Sequence, residues 1–107
     1  MREHGRIFFQ KVFEIDCFTS AANYVVVHCG ARTHRMRSTM NELEAKLDPK
    51  QFARIHRCTI INIDYVRDFR PLPHGDYLIR LHNGKELKMS RNYRLQFRNA
   101  IAALDKP

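Results

Sequence analysis

Along this chain apolar residues broken by single polar ones recur in several short stretches, the period-2 habit of a half-buried strand, so the pattern predicts a protein at least half built of β-strands. Residues 7–9, 12–18, 24–29 and 33–37 are short stretches of this kind, the first three rich in Val, Ile and Phe. Thr19 to Asn23 is small and polar, as a turn requires, and Gly30 begins a second turn that folds residues 33–37 back on residues 24–29.

The helical signal arrives at Ser38 and Thr39. Met40, Leu43 and Leu47 share one helical face, Thr39 is placed as an N-cap with Glu42 as its capping-box partner, and Asp48 before Pro49 ends the segment. Such a helix is a lid on the sheet, its Met and Leu stripe part of the core. Residues 52–62 follow, the stretch around which the chain is organised. Ile55, Ile60, Ile61 and Ile63 read as a buried strand, whereas Arg54, His56 and Arg57 are too costly to bury unpaired and are expected at its mouth or outer face.

Residues 64–69 alternate again, and residues 71–75 hold Pro71, Pro73 and Gly75 in a turn. The next hairpin has a testable register. With His82, Asn83 and Gly84 as its loop, Leu81 faces Lys85, Ile79 faces Leu87, Tyr77 faces Met89 and Arg80 faces Glu86. A two-residue Asn-Gly loop would instead set Arg80 against Leu87 and Ile79 against Lys88. The first register pairs apolar with apolar and charge with opposite charge, so it is the one expected. After Ser90, the spacing of Leu95, Phe97, Ile101 and Leu104 predicts a C-terminal helix, with Arg94 and Arg98 stacked at i, i+4 on another face.

Composition narrows the class. The 107 residues predict one domain over residues 7–107, preceded by a tail or linker remnant at residues 1–6, with a single core and no room for a second of comparable size. A hydrophobic content of 44% excludes a disordered chain, and no apolar run approaches the roughly 20 residues that span a bilayer. The N-terminus lacks the apolar region of a signal peptide, so a cytoplasmic protein is expected. Charge is more telling: 19 Lys and Arg against 11 Asp and Glu give +8, which suggests a polyanionic partner, nucleic acid first and an anionic membrane surface or RNA as the alternative. The three cysteines show no Cys-x-x-Cys pairing and the six histidines no helical metal spacing, so neither disulfide nor metal is expected.

No enzyme is expected either. There is no Gly-x-Ser-x-Gly and no Gly-rich phosphate loop, and Cys58 beside His56 lacks an orienting third group. The better constellation is Asn23, Arg57 and Arg91, each in or beside a connection between strands or at a helix start. Arginine reads guanine bidentately and asparagine reads adenine, while surrounding cations, among them Lys88, Arg94 and Arg98, neutralise phosphates. Each has a plainer reading: Asn23 satisfies a turn, Arg57 forms an ion pair, and Arg91 flanks its helix.

The order of these features resembles the LytTR family, the β-rich DNA-binding domain of bacterial response regulators. The resemblance is carried by Ile15-Asp16 with Asn23-Tyr24-Val25, by Thr39-Met40 with Leu43-Glu44 and Leu47, by the block from Phe52 to Asn62, which is similar to Phe-x-Arg-Ile-His-Arg-Ser-x-x-Val-Asn, and by Leu81 to Gly84 with Ser90-Arg91. It implies elongated antiparallel sheets with little helix, no cofactor, and binding of duplex DNA through loops. It carries base contacts onto Asn23, Arg57 and Arg91, and phosphate contacts onto Thr39, His56, Cys58 and Asn92. It also implies homodimers or paired molecules on repeated half-sites and an upstream receiver or sensory domain. Cys58 departs from the family's serine, replacing a good hydroxyl donor with a weak thiol. Its basic neighbours Arg54, His56 and Arg57 also raise the idea of a redox-sensing thiol, against a passive substitution.

Overall fold

The computed structural model describes residues 12–104. Five antiparallel strands form the larger sheet: β1 (Cys17–Ala21), β2 (Tyr24–Cys29), β3 (Arg32–Arg37), β4 (Phe52–His56) and β5 (Thr59–Asn62), in the order β3-β2-β1-β5-β4. Three more, β6 (Val66–Pro71), β7 (Tyr77–Leu81) and β8 (Glu86–Met89), form a second antiparallel sheet in sequence order. A short helix α1 (Met40–Lys46) follows β3, and α2 (Arg94–Leu104) closes the chain. The mainly β class with one central and one C-terminal helix is therefore as expected, with overall extents of 41 × 35 × 25 Å.

Strand alternation divides the interior in two. Phe18, Val25, Val27, Phe52 and Ile60 point to one face of the larger sheet and meet Met40 and Leu43 of α1. Cys17, Ala53, Ile55 and Ile61 point to the other and meet Ile79, Leu81, Met89 and Phe97 of the second sheet and α2. The expectation of one core is thus corrected. The larger sheet is coated on both faces, and clusters of comparable size lie on either side of it.

Several boundaries also move. The stretch 12–18 is not one strand: Val12–Glu14 is a 3-10 turn, and the first described strand begins at Cys17. Thr19, Ser20 and Ala21 are not a turn, because they pair with Val26, Val25 and Tyr24, leaving only Ala22 and Asn23 to reverse the chain. Ala22 does so with φ 55°, the left-handed region that costs an L-residue about 1 kcal/mol or more. The expected strand at residues 7–9 lies outside the described residues.

Residues 52–62 are a hairpin rather than a single strand, with a register shift between Arg54 and His56 and a turn at Arg57 and Cys58. Two expectations held closely. Thr39 Oγ1 accepts from the Glu42 amide at 3.1 Å while the Glu42 carboxylate accepts from the Thr39 amide at 3.3 Å, the reciprocal capping box. The β7–β8 register is Tyr77 with Met89, Ile79 with Leu87 and Arg80 with Glu86, closed by Gly84 at φ 90°. Arg80, however, turns its guanidinium to Asp68 on β6, with two bonds of 2.7 and 3.2 Å.

In α2 the buried face is Phe97, with Ala100, Ile101 and, from the preceding 3-10 turn, Tyr93 beside it. Leu95 is 68% exposed, against expectation. Two helical positions turn by about 200°, so Leu95 and Phe97 cannot share a face.

The two sheets are locked by a buried acid. Asp16, fully buried, accepts from Asn83 Nδ2 at 2.6 Å and from the Cys17 amide at 3.1 Å, and Lys85 Nζ stands 3.5 Å away. The β7–β8 loop is thereby tied to the start of β1. Asn62, also fully buried, donates to the Ile15 carbonyl at 2.8 Å and accepts from Gln51 and the Asp64 amide.

Candidate nucleic-acid interface

The antiparallel order brings three connections to one end of the larger sheet. The β1–β2 turn carries Asn23 and the β4–β5 turn carries Arg57 and Cys58, and β1 and β5 are neighbours. The Ser20 amide donates to the Cys58 carbonyl at 3.0 Å, fastening one turn to the other. With strands about 4.8 Å apart, the two turns stand roughly 10 Å from each other. The third connection follows β8: the Ser90 amide donates to the Ile55 carbonyl at 2.9 Å, so Arg91 begins its 3-10 turn beside the end of β4. Asn23, Arg57 and Arg91 are all exposed.

A single side chain organises the middle of this row. Arg54 lies on the α1 side of the larger sheet and is 9% exposed, correcting the expectation that it emerges at the surface. Its burial is tolerated because every arm is engaged. One terminal nitrogen donates to Asn41 Oδ1 at 2.6 Å and to Glu44 Oε1 at 3.0 Å, the other to the Arg57 carbonyl at 2.6 Å, and Nε to the His56 carbonyl at 3.2 Å. Its guanidinium also stands 5.9 Å from the centre of the Tyr93 ring. Arg54 thus joins α1, the Arg57 turn and the segment that begins at Arg91.

Arg91 has its own support. Its amide donates to Asp76 Oδ1 at 3.0 Å, and its side chain passes 3.5 Å from where a Cβ on Gly75 would stand. Gly75 has φ 86°, so that turn needs glycine's freedom. The other oxygen of Asp76 lies 3.4 Å from Lys88 Nζ. The Arg91 amide, and then Lys88, hold the Asp76 carboxyl below its ordinary value.

The remaining candidates divide. Thr39 and Asn23 line one cleft of about 340 Å³, together with Arg37 and Ser38. The Thr39 oxygen serves the capping box, which leaves its hydroxyl hydrogen to donate outward. His56 Nδ1 accepts from the Cys58 amide at 3.2 Å, an arrangement that assigns the ring proton to Nε2. Asn92 is exposed beside Arg91, its amide bonded to Ser90 Oγ at 3.2 Å. Arg94 and Arg98 stand apart from the row, lining a groove with Phe69, Tyr77 and Phe97.

The Cys58 thiol is held below its ordinary value, first by a hydrogen bond from Ser20 and then by Arg57 and Arg54. Cys17, by contrast, is pushed up to about 12 by burial. Asp76 and Ser20 are the supporting residues that sequence reasoning missed, and Arg54, which it did single out, turns inward rather than outward. The one available signal was alternation: Arg54 shares a strand face with the buried Phe52.

This chain is similar to known proteins. The chain is 27% identical over 78 residues to the transcriptional regulatory protein LytR of Staphylococcus aureus strain N315, covering 73% of this chain and 32% of that protein. It is 23% identical over 69 residues to the sensory transduction protein LytT of Bacillus subtilis strain 168, covering 64% and 29%. This chain therefore spans about a third of the length of the curated relatives it matches. A solved LytTr DNA-binding domain of a putative methyl-accepting/DNA response regulator from Bacillus cereus superposes with a TM-score of 0.77 at 22% identity, over 83% of this chain and 82% of that one, and so shares its fold. Residues 5–102 match the family described as the LytTr DNA-binding domain, and with the motifs, the two sheets and this match in agreement, the chain belongs to that family.

Proposed function

We propose that this domain is the sequence-specific, duplex-DNA-binding part of a bacterial transcriptional regulator, reading bases through loops rather than through an inserted helix. The observation that supports it best is the row itself: three exposed connections at one end of the larger sheet, bound to one another through Ser20, Arg54 and Ser90. In this reading Asn23, Arg57 and Arg91 reach base edges, each pair contributing about 1 to 3 kcal/mol of discrimination. Thr39, His56 through Nε2–H, Cys58 and Asn92 meet phosphates beside them. Lys88, Arg94 and Arg98 act on the duplex through charge alone, Lys88 with its field reduced by Asp76. The net charge of +8 supplies the steering.

The whole protein carries an upstream receiver or sensory domain in this reading, acts in the cytoplasm and binds repeated half-sites as a homodimer or as paired molecules. No helix among the described residues is long and apolar enough to cross a membrane. The test is selection from a random duplex library, followed by titration of the winner and a scrambled duplex at two salt concentrations. A specific reader binds the winner on the order of a thousandfold or more tighter. Equal affinities that fall together as salt rises would mean that charge acts alone and would refute the proposal.

A further inference from the structure

Beyond Asn23 the same end of the larger sheet carries a feature that the base-reading row does not use. On the face opposite α1, Tyr24 pairs with Arg37 and Val26 with Arg35 across β2 and β3. Tyr24 is 37% exposed, and its ring is approached by two guanidiniums, Arg35 at 5.4 Å and Arg37 at 6.0 Å from the ring centre. Among the described residues neither arginine has a carboxylate partner, unlike Arg54 and Arg80. Two like charges on one aromatic ring, at the edge of a sheet and unneutralised, are a site for anions. Arg37 and Tyr24 also line the cleft that holds Asn23 and Thr39, so this patch is continuous with the row.

We propose that Tyr24, Arg35 and Arg37 form a backbone clamp that grips duplex phosphates outside the bases being read. The inference rests on the DNA-binding reading above. β3 lies three and a half strand spacings from the Arg57 turn, about 17 Å, the axial length of about five base pairs. The clamp therefore meets phosphates flanking the read sequence, and the Tyr24 ring holds both guanidiniums beside it. Both guanidiniums stand against the Tyr24 ring, which favours phosphate over a stacked base, and hence duplex over single-stranded RNA.

The test compares the protein with its Arg35→Gln/Arg37→Gln and Arg35→Lys/Arg37→Lys double variants on the duplex won by selection. It uses that duplex both with its flank and trimmed on the Asn23 side, and single-stranded RNA of the same sequence as a further probe. The glutamine variant should bind the full duplex on the order of tenfold more weakly at low salt, two exposed ionic contacts having been removed. Its log-affinity against log-salt slope should be shallower by about 1.8, roughly 0.9 for each lost phosphate. Base preferences should not change, the trimmed duplex should bind both proteins alike, and the lysine variant should keep the wild-type slope.

An unchanged slope and affinity would overturn the clamp. So would a changed base preference, which would make these residues readers, or a loss confined to RNA. Failure of the underlying reading is separate: the wild type would then bind winner and scrambled duplex equally, while a slope deficit in the glutamine variant would still register the backbone contact.

Discussion

Arg54→Lys is the substitution that asks most of this structure. It keeps the charge and removes the fork. The guanidinium reaches two sets of acceptors on different elements, Asn41 and Glu44 on α1 and the carbonyls of His56 and Arg57 on the turn. A lysine head has one nitrogen and three protons, so it can serve one set and must abandon the other. Glu44 is the one anion among these acceptors and keeps the ammonium, so the bonds given up are those to the His56 and Arg57 carbonyls. Two charge-assisted bonds at about 1.5 kcal/mol each would give about 3 kcal/mol, reduced where water reaches the exposed turn at Arg57. Urea denaturation should therefore show a loss of about 2 to 3 kcal/mol, which a domain of ordinary stability survives folded.

The diagnostic result lies in binding. With the turn released, discrimination at the base assigned to Arg57 in the proposed reading should fall nearly as far as in Arg57→Ala, and the two substitutions should not add. A double-mutant cycle should return a coupling of about 1 kcal/mol or more, as for residues in one hydrogen-bonded network. Additive effects, or full discrimination in folded Arg54→Lys, would refute the role of Arg54 as the residue that positions the reading turn.

Leu43→Ala, at a position 1% exposed beneath α1, should cost about 2 to 5 kcal/mol of unfolding free energy through a cavity, with base preference retained in the folded fraction. Lys85→Met removes the cation beside fully buried Asp16 and should cost about 2 to 4 kcal/mol by denaturant titration, less if the bonds from Asn83 and the Cys17 amide hold the charge. Asp68 and Asp76 both titrate below the ordinary 3.8, held down chiefly by Arg80 and by the Arg91 amide. Their contribution to stability is full above that value and lost as pH falls through their lower folded values, so the wild-type denaturation midpoint should drop more steeply below about pH 4 than that of Asp68→Asn/Asp76→Asn. A disulfide reagent near neutral pH should modify Cys58 first and spare Cys17 until the protein unfolds, and Ser20→Ala should slow the reaction at Cys58.

What the sequence disclosed was local. The capping box at Thr39 and Glu42 and the register fixed by Gly84 both depend on residues a few positions apart, whose geometry is set by the backbone between them. Arg54 was misjudged for the opposite reason. Alternation pointed it inward, the cost of an unpaired charge pointed it outward, and its actual partners, Asn41 and Glu44, lie in a helix whose docking no local pattern specifies. Leu95 shows that an apolar residue at the start of a helix need not join the buried face, because helical phase is set by Phe97 and Ile101. Asn23, Arg57 and Arg91 could be named one at a time as loop residues. That they form a row follows from the pairing of β1 with β5 and from the bond between Ser90 and Ile55, both long-range.

The measurement that bears most directly on that row is library selection run in parallel with the wild type, Arg57→Ala and Arg91→Ala. If the two turns read separate bases, each variant should lose preference at its own position in the recovered motif and retain the other, with a local cost of about 1 to 3 kcal/mol. Recovery of one unchanged motif by all three proteins, or a uniform loss with no position relaxed, would contradict the assignment of these arginines to base edges.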